Sequence, residues 1–267
     1  MLSATRYSCA LVTGASAGLG EEFAFQLAPR VDKLVLVARR EARLTHLADS
    51  IRERFPRVAV SVLVVDLTKP SERARLVESL AANGFSPDLV VNNAGMGDYG
   101  EFSSSEWSKA ETMIRLNIEA LTYLCHALLP HMIRRGGGGI INVSSLASLV
   151  PIPDFAVYAA TKAYVTSFSE ALRIEMKPHR VSVLALCPGP VHTEFGSVAR
   201  RNTESVIPGR EWFYVPKEQV VSAALSALEQ NRPRVYPGWK IAASALVLGA
   251  LPLAALRLAL GTRPRRR

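Results

Sequence analysis

The stretch T-G-A-S-A-G-L-G, Thr13 to Gly20, decides the fold. A short apolar run, Ser8 to Thr13, leads into it, and a helical pattern begins near Leu19. Gly14, Gly18 and Gly20 therefore stand between a strand and a helix. Missing side chains there let a pyrophosphate approach the backbone and the positive end of the helix. The flanking strand and helix separate this triplet from an ordinary tight turn and mark a dinucleotide site, with Gly14, Ser16, Gly18, Leu19 and Gly20 as its phosphate-side candidates.

Outward from that loop, β-rich runs alternate with helical patterns. The expected strands are Ser8 to Thr13, Lys33 to Ala38, Ala59 to Val65, Leu89 to Asn92, Gly139 to Ser144 and Val181 to Cys187. The expected helices are Glu21 to Ala28, Glu41 to Phe55, Ser71 to Asn83, Glu106 to Arg134 and Val157 to Lys177. Alternation of this kind predicts an α/β fold, a doubly wound, Rossmann-like parallel sheet in three layers, with ligand at the carboxyl ends of the strands. Runs such as L-V-L-V-A imply strands buried on both faces. The glycines Gly136 to Gly139 read as a flexible connection from helix to strand. No linker divides the chain; residues 1–238 read as one domain with a substrate lid at about 194–215, and residues 239–267 as an apolar C-terminal extension.

The second strand ends in Ala38, Arg39 and Arg40, where an NAD site usually places an acid for the ribose 2′-hydroxyl. A guanidinium there grips a 2′-phosphate instead, so NADP is preferred over NAD; the alternative is that both arginines merely open a charged helix. Asp66, followed by Leu67 after the third strand, is placed to accept from an adenine amino group or to cap the helix near Ser71. Tyr158 and Lys162, four residues apart, share one helix face, so the ammonium is expected to bias the phenol towards phenolate.

In this order, the glycine loop, N-N-A-G at Asn92 to Gly95, Asn117, Ser145, Y-x-x-x-K at Tyr158 to Lys162 and the P-G turn at Pro188 and Gly189 resemble the short-chain dehydrogenase/reductase family, from about Cys9 to Glu194. The resemblance implies a hydride transfer between a nicotinamide cofactor and a carbonyl. Tyr158 would then be the general acid/base, Lys162 would hold the nicotinamide ribose and lower the Tyr158 pKa, and Ser145 would orient the carbonyl. Asn117 would bind a relay water, Asn93, Ala94 and Gly95 would border the adenosine half, and Thr193 with the Val191 backbone would hold the carboxamide. Ser144 competes with Ser145; the family's spacing of thirteen residues before the tyrosine selects Ser145. A homo-oligomer, dimer or tetramer, through the Glu106 to Arg134 and Val157 to Lys177 helices is likewise implied by resemblance.

The loops after the fourth, fifth and sixth strands carry Met96 and Tyr99, Leu146 and Pro151 to Phe155, and Phe195 onward to Tyr214. Their apolar character predicts a hydrophobic ketone, such as a 3-oxoacyl or steroid-like carbonyl. Arg200, Arg201 and Arg210 in the lid either meet a phosphate such as that of coenzyme A or face water. A cofactor-binding scaffold or redox sensor without turnover is the rival reading.

The formal charge of +9 does not point to nucleic acid: Arg263, Arg265, Arg266 and Arg267 supply four of those charges, leaving +5, and no nucleic-acid motif accompanies them. Cys9, Cys125 and Cys187 are scattered, giving neither a disulfide framework nor a zinc site; His126, His131 and His192 do not cluster, and no metal is expected. Without an N-terminal apolar leader the expected location is the cytoplasm. The run Ile241 to Leu260 holds twenty residues with one charge, interrupted by Pro252. Its length meets the threshold for a spanning helix, against which Pro252 and Arg257 weigh; it reads as a spanning, monotopic or peripheral membrane anchor, as a cover for the cleft or as a subunit interface.

Overall fold

In the computed structural model, which describes residues 7–201 and 211–261, seven parallel strands form one sheet in the order β3-β2-β1-β4-β5-β6-β7. They are β1 (Tyr7–Thr13), β2 (Val31–Ala38), β3 (Ala59–Val64), β4 (Leu89–Asn92), β5 (Gly138–Val143), β6 (Val181–Leu186) and β7 (Arg234–Val235). Winding reverses after β3, so β1 lies between β2 and β4 and the crevice at their carboxyl ends is the switch point where a doubly wound sheet binds ligand.

Strand alternation builds two cores. Ala10, Val12, Leu34, Leu36, Leu89, Val91, Ile141, Leu184 and Leu186 face one side with α1 (Gly18–Leu27), α2 (Glu41–Arg54) and a later helix over Lys217–Glu229. Leu11, Val35, Val37, Val90, Ile140 and Val183 face the other, under α3 (Pro70–Ala82), a helix over Leu121–Arg135 and one over Ala156–Met176. The period of two sends alternate side chains of each strand to opposite faces, which is why these runs read as continuously apolar.

Two expectations need correction. The helix expected over Glu106 to Arg134 is two, α4 (Trp107–Ile114) and α5 (Leu121–Arg135), joined by a π-helical stretch, Arg115–Ala120, centred on Asn117. The glycine run is not flexible: Gly136 and Gly137 cap α5 through bonds to Ile133 and Met132 carbonyls, while Gly138 and Gly139 lie in β5. A side chain on Gly138 would meet Met132 at 2.9 Å, so these glycines permit close helix–sheet contact. β7 was not visible in the sequence, since two residues carry no period.

The start of the C-terminal extension packs against the sheet's core. After α6 (Ala156–Met176), α7 (Glu194–Ala199) and α8 (Lys217–Glu229) come α9 (Trp239–Ala250) and α10 (Leu253–Gly261), broken at Pro252 as its missing N–H requires. Ile241 of α9 is fully buried in the first core and fills the space that a side chain on Gly189 would need, 2.4 Å from that Cβ position. Among the described residues no helix is long and apolar enough to cross a membrane. The arginine tail and lid residues 202–210, Arg210 included, lie outside the described residues.

Candidate active site

The glycine loop is fixed from below by the fourth strand. Thr13 Oγ1 accepts from Asn93 N and Ala94 N, each at 3.0 Å, and Asn93 Nδ2 donates to Thr13 O at 3.0 Å and Gly14 O at 3.3 Å. Asn93 thus shapes the loop. Gly14 and Gly18 take φ values of +64° and +59°, the left-handed region that glycine enters without strain. At the start of α1, Ala17 is an N-cap with no side-chain partner for the first helical N–H groups. Those free donors and the uncovered backbone fit a pyrophosphate. Thr193, whose Oγ1 caps α7 by accepting from Phe195 N, comes within 3.0 Å of the position a Gly18 Cβ would take, so the P-G turn closes the cleft from the other side. A cleft of about 490 Å³ opens between Ser16 to Gly18, α2 and His192 to Glu194.

At the 2′ side, Arg39 is exposed and makes no ion pair among the described residues, whereas Arg40 bonds Ser16 Oγ at 3.1 Å and Glu194 Oε2 at 2.8 Å. Arg43, one turn further along α2, also reaches Glu194. Arg43 and Glu194 escaped sequence reading because a helix position and a lid position meet only in the fold. Asp66 does not cap α3, whose N-cap is Lys69; its carboxylate accepts from Thr68 N and Oγ1 at 3.0 and 2.7 Å. Partial burial opposes its ionisation, yet those bonds and the nearby Arg39 hold its carboxyl below the usual range. Leu67 is buried in the second core, leaving only its main chain for a ligand.

The four residues Asn117, Ser145, Tyr158 and Lys162 come together around Gly95 and β5. A Cβ on Gly95 would lie 3.2 Å from Asn117 Oδ1 and 3.4 Å from Lys162 Nζ. Asn117 donates to Met96 O and Thr161 Oγ1 and accepts from Met96 N, so both its amide hydrogens are committed. The π-helical stretch at this point interrupts the regular carbonyl ladder, a distortion frequent at functional sites. Ser144 is consumed by Lys162 O and Thr166 inside the fold. Ser145, half-buried, lies near enough to Tyr158 to favour its ionised form, and its Oγ accepts from Ala147 N at 3.1 Å.

The expected tyrosine–lysine electrostatics are reversed. Lys162 Nζ bonds Val143 O at 2.8 Å and stands 5.7 Å from the Tyr158 ring centre. Burial pushes the Tyr158 phenol up to about 12, against the nearby Ser145 hydroxyl, and brings Lys162 down to about 8. Removal from water penalises the charged form of each group more than their separation allows them to help one another. At neutral pH Tyr158 is therefore a protonated donor.

Met96, Phe155 and Phe195 gather on Tyr158 together with Tyr99, Met113, Ile152 and Ala199. Phe155 stacks on the tyrosine ring at 4.4 Å and Phe195 meets it at 5.3 Å. Leu146 packs instead against the first core, and Pro188 O accepts from its N–H. Met113 was missed, since its helix shares no motif with the tyrosine. Trp212 and Tyr214 stay apart from this cluster, Tyr214 stacking on His192 at 4.0 Å. Arg201 is taken by Asp98, with bonds of 2.6 to 3.1 Å, which pins the end of α7 to the loop after β4 and removes this guanidinium from any coenzyme A phosphate.

Comparison with known proteins agrees with this arrangement. A short chain dehydrogenase family profile matches residues 8–204. The very-long-chain 3-oxoacyl-CoA reductase of Bos taurus is 31% identical over 91% of this chain and 75% of its own. Among solved structures, a short-chain dehydrogenase from Sphingobium yanoikuyae in complex with NADPH superposes with a TM-score of 0.80 at 31% identity, covering 97% of this chain and 98% of that one. The bulky-bulky ketone specific alcohol dehydrogenase from Comamonas testosteroni gives 0.77 at 28% identity, covering 98% and 97%. With a tyrosine, a serine and a lysine gathered at the mouth of a dinucleotide crevice and these likenesses over most of its length, this chain belongs to the short-chain dehydrogenase family, as an NAD(P)-dependent oxidoreductase of carbonyls and alcohols.

Proposed function

We propose that the protein is an NADP-preferring reductase of apolar ketones, with a 3-oxoacyl or steroid-like carbonyl as substrate. The observation that carries this reading is the apolar wall of Met96, Phe155 and Phe195 packed directly on Tyr158, with Arg201 held away by Asp98. The names of the relatives, one acting on very-long-chain 3-oxoacyl-CoA and one on bulky ketones, support it.

A nicotinamide held in this cleft would supply the hydride to the carbonyl carbon. Ser145 and Tyr158 hold the carbonyl oxygen, and as negative charge grows there their hydrogen bonds strengthen, lowering the barrier more than they stabilise the bound ketone. Tyr158 Oη then gives its proton to that oxygen. Lys162 holds the ribose, and Asn117 fixes Met96 and Thr161 around both. Gly14, Ser16, Gly18, Leu19 and Gly20 carry the pyrophosphate side, Arg39 and Arg40 the 2′-phosphate, Asp66, Leu67 and Asn93 to Gly95 the adenosine half, and Pro188, Gly189, Val191 and Thr193 the carboxamide side. The test is initial-rate consumption of NADPH and NADH with 3-oxoacyl thioesters, steroid ketones and small aldehydes. Turnover confined to the apolar classes, faster with NADPH, is the expected result. Tight cofactor binding with no turnover on any class would instead support the scaffold reading.

The C-terminal helices suit a peripheral contact with anionic lipid. Trp239, Leu246, Val247, Leu251 and Leu258 are exposed, and from Gln230 to Arg267 the chain has eight cations and no acid. Lys240 lies over the rings of both Trp212 and Trp239, an amphipathic cluster of the kind found at membrane interfaces. Co-sedimentation with vesicles containing phosphatidylglycerol, and loss of at least half of it in a Trp239→Ser/Leu246→Ser/Leu258→Ser variant, is expected. A wild type that stays in the supernatant while sedimenting as a salt-resistant dimer would assign this face to a second copy.

A further inference from the structure

Glu194 lines the cleft, where Arg40, the N-cap of α2, and Arg43 within α2 hold its carboxylate. Its Oε2 accepts from Arg40 at 2.8 Å and its Oε1 from Arg43 at 2.5 Å. Arg40 is itself oriented by the glycine loop, with Nε on Ser16 Oγ and Nη2 on Ser16 O at 3.3 Å. The carboxylate therefore rests at the end of β2 beside that loop, where the ribose of a dinucleotide lies in this topology. A two-oxygen anion gripped by two guanidinium groups resembles one face of a phosphate, and the geometry is the one such groups offer to either.

We infer that Glu194 is a built-in competitor for the 2′-phosphate, which takes Arg40 and Arg43 when that phosphate is absent and must give them up when it binds. This rests on the NADP preference proposed above. It adds that the preference is tempered from within: the guanidinium charge that attracts NADP is partly neutralised by a residue outside the usual recognition segment. Arg39, exposed and with no ion pair among the described residues, remains the immediate contact, so the competition concerns only the second and third guanidinium groups. Glu194 also opens α7, whose next residue, Phe195, packs on Tyr158. Release of the carboxylate thus acts on the same short helix that covers the catalytic phenol.

The effect is modest, since all three side chains are about half exposed and such pairs are screened. Removing the competitor should strengthen binding of a 2′-phosphate about three- to ten-fold. The probes are adenosine 2′,5′-bisphosphate and AMP, which differ by the phosphate alone, titrated calorimetrically into wild type, Glu194→Gln and Arg40→Ala. In Glu194→Gln the bisphosphate should bind three- to ten-fold more tightly, with AMP changed less than twofold. Weaker bisphosphate binding in Glu194→Gln would overturn the inference and make Glu194 a clamp over bound cofactor. Unchanged binding would overturn it as well. Arg40→Ala keeps the two readings apart. If it abolishes the bisphosphate's advantage while Glu194→Gln has no effect, only the competitor fails; if wild type binds both probes equally, the NADP preference itself fails.

Discussion

Tyr158→Phe is expected to lower kcat for ketone reduction by about 10²- to 10⁴-fold, the usual contribution of a positioned general acid, while cofactor affinity and melting temperature stay close to wild type. The separation of these readouts follows from the geometry. Phe155 and Phe195 contact the ring of Tyr158, and a phenylalanine ring keeps both contacts. Only the hydroxyl is lost, together with its proximity to Ser145. The pH dependence supplies a second check. With the phenol pushed up to about 12, Tyr158 is protonated across the working range, so reduction is not limited by its titration at neutral pH. Alcohol oxidation needs the phenolate and should rise with pH up to about 8, then level off as loss of the Lys162 charge offsets the further gain in phenolate. Lys162, brought down to about 8, is charged below that pH and neutral above it. Reduction should therefore be flat below pH 8 and decline above it as the ammonium that holds the ribose is lost. A Tyr158→Phe variant retaining more than a tenth of wild-type kcat would remove the tyrosine from the proton transfer.

Gly20→Ala is the second large effect, and it acts on backbone. A Cβ at Gly20 would sit 2.2 Å from Gly14 O and 2.6 Å from Asn93 Nδ2. Neither is the far end of a flexible side chain: Gly14 O belongs to the phosphate loop, and Asn93 is held by two carbonyls. The loop must shift by about 1 Å, and a misplacement of that size costs about 10²-fold in rate. Overpacking against fixed backbone costs about 3 kcal/mol, which for a chain of this size lowers the melting temperature by about 10 °C. Gly249→Ala is the matched control. It lies within α9 with nothing within 4 Å of its Cβ position, so the better helix former should raise stability by up to about 1 kcal/mol. Thermal unfolding and NADPH fluorescence titration of the two variants measure both quantities. Equal stability of Gly20→Ala and wild type would mean that the helix start is looser than this packing requires.

What was legible in the sequence lies along the chain. Six of the seven strands, the glycine turn and the Tyr158 to Lys162 spacing could be read because burial on both faces gives unbroken apolar runs, and because a phosphate loop needs glycine at fixed offsets. The π-helical register at Asn117 was not legible, since it arises where the Asn117 side chain is drawn to Met96 and Thr161, which are remote in sequence. Nor was the fate of Arg201, which depends on Asp98 more than a hundred residues earlier.

The sequence by itself determined the α/β class, the dinucleotide crevice and the residue types gathered there, because periodicity and local backbone demands are properties of neighbouring residues. Only the tertiary structure decided that burial outweighs the Lys162 charge at Tyr158, that Ser144 is spent and Ser145 is not, that Leu146 turns into the core while Phe155 and Phe195 cover the phenol, and that Ile241 seats the C-terminal helices on the P-G turn. Each of these depends on desolvation or on contact between segments far apart in the chain, and both exist only once the layers have packed.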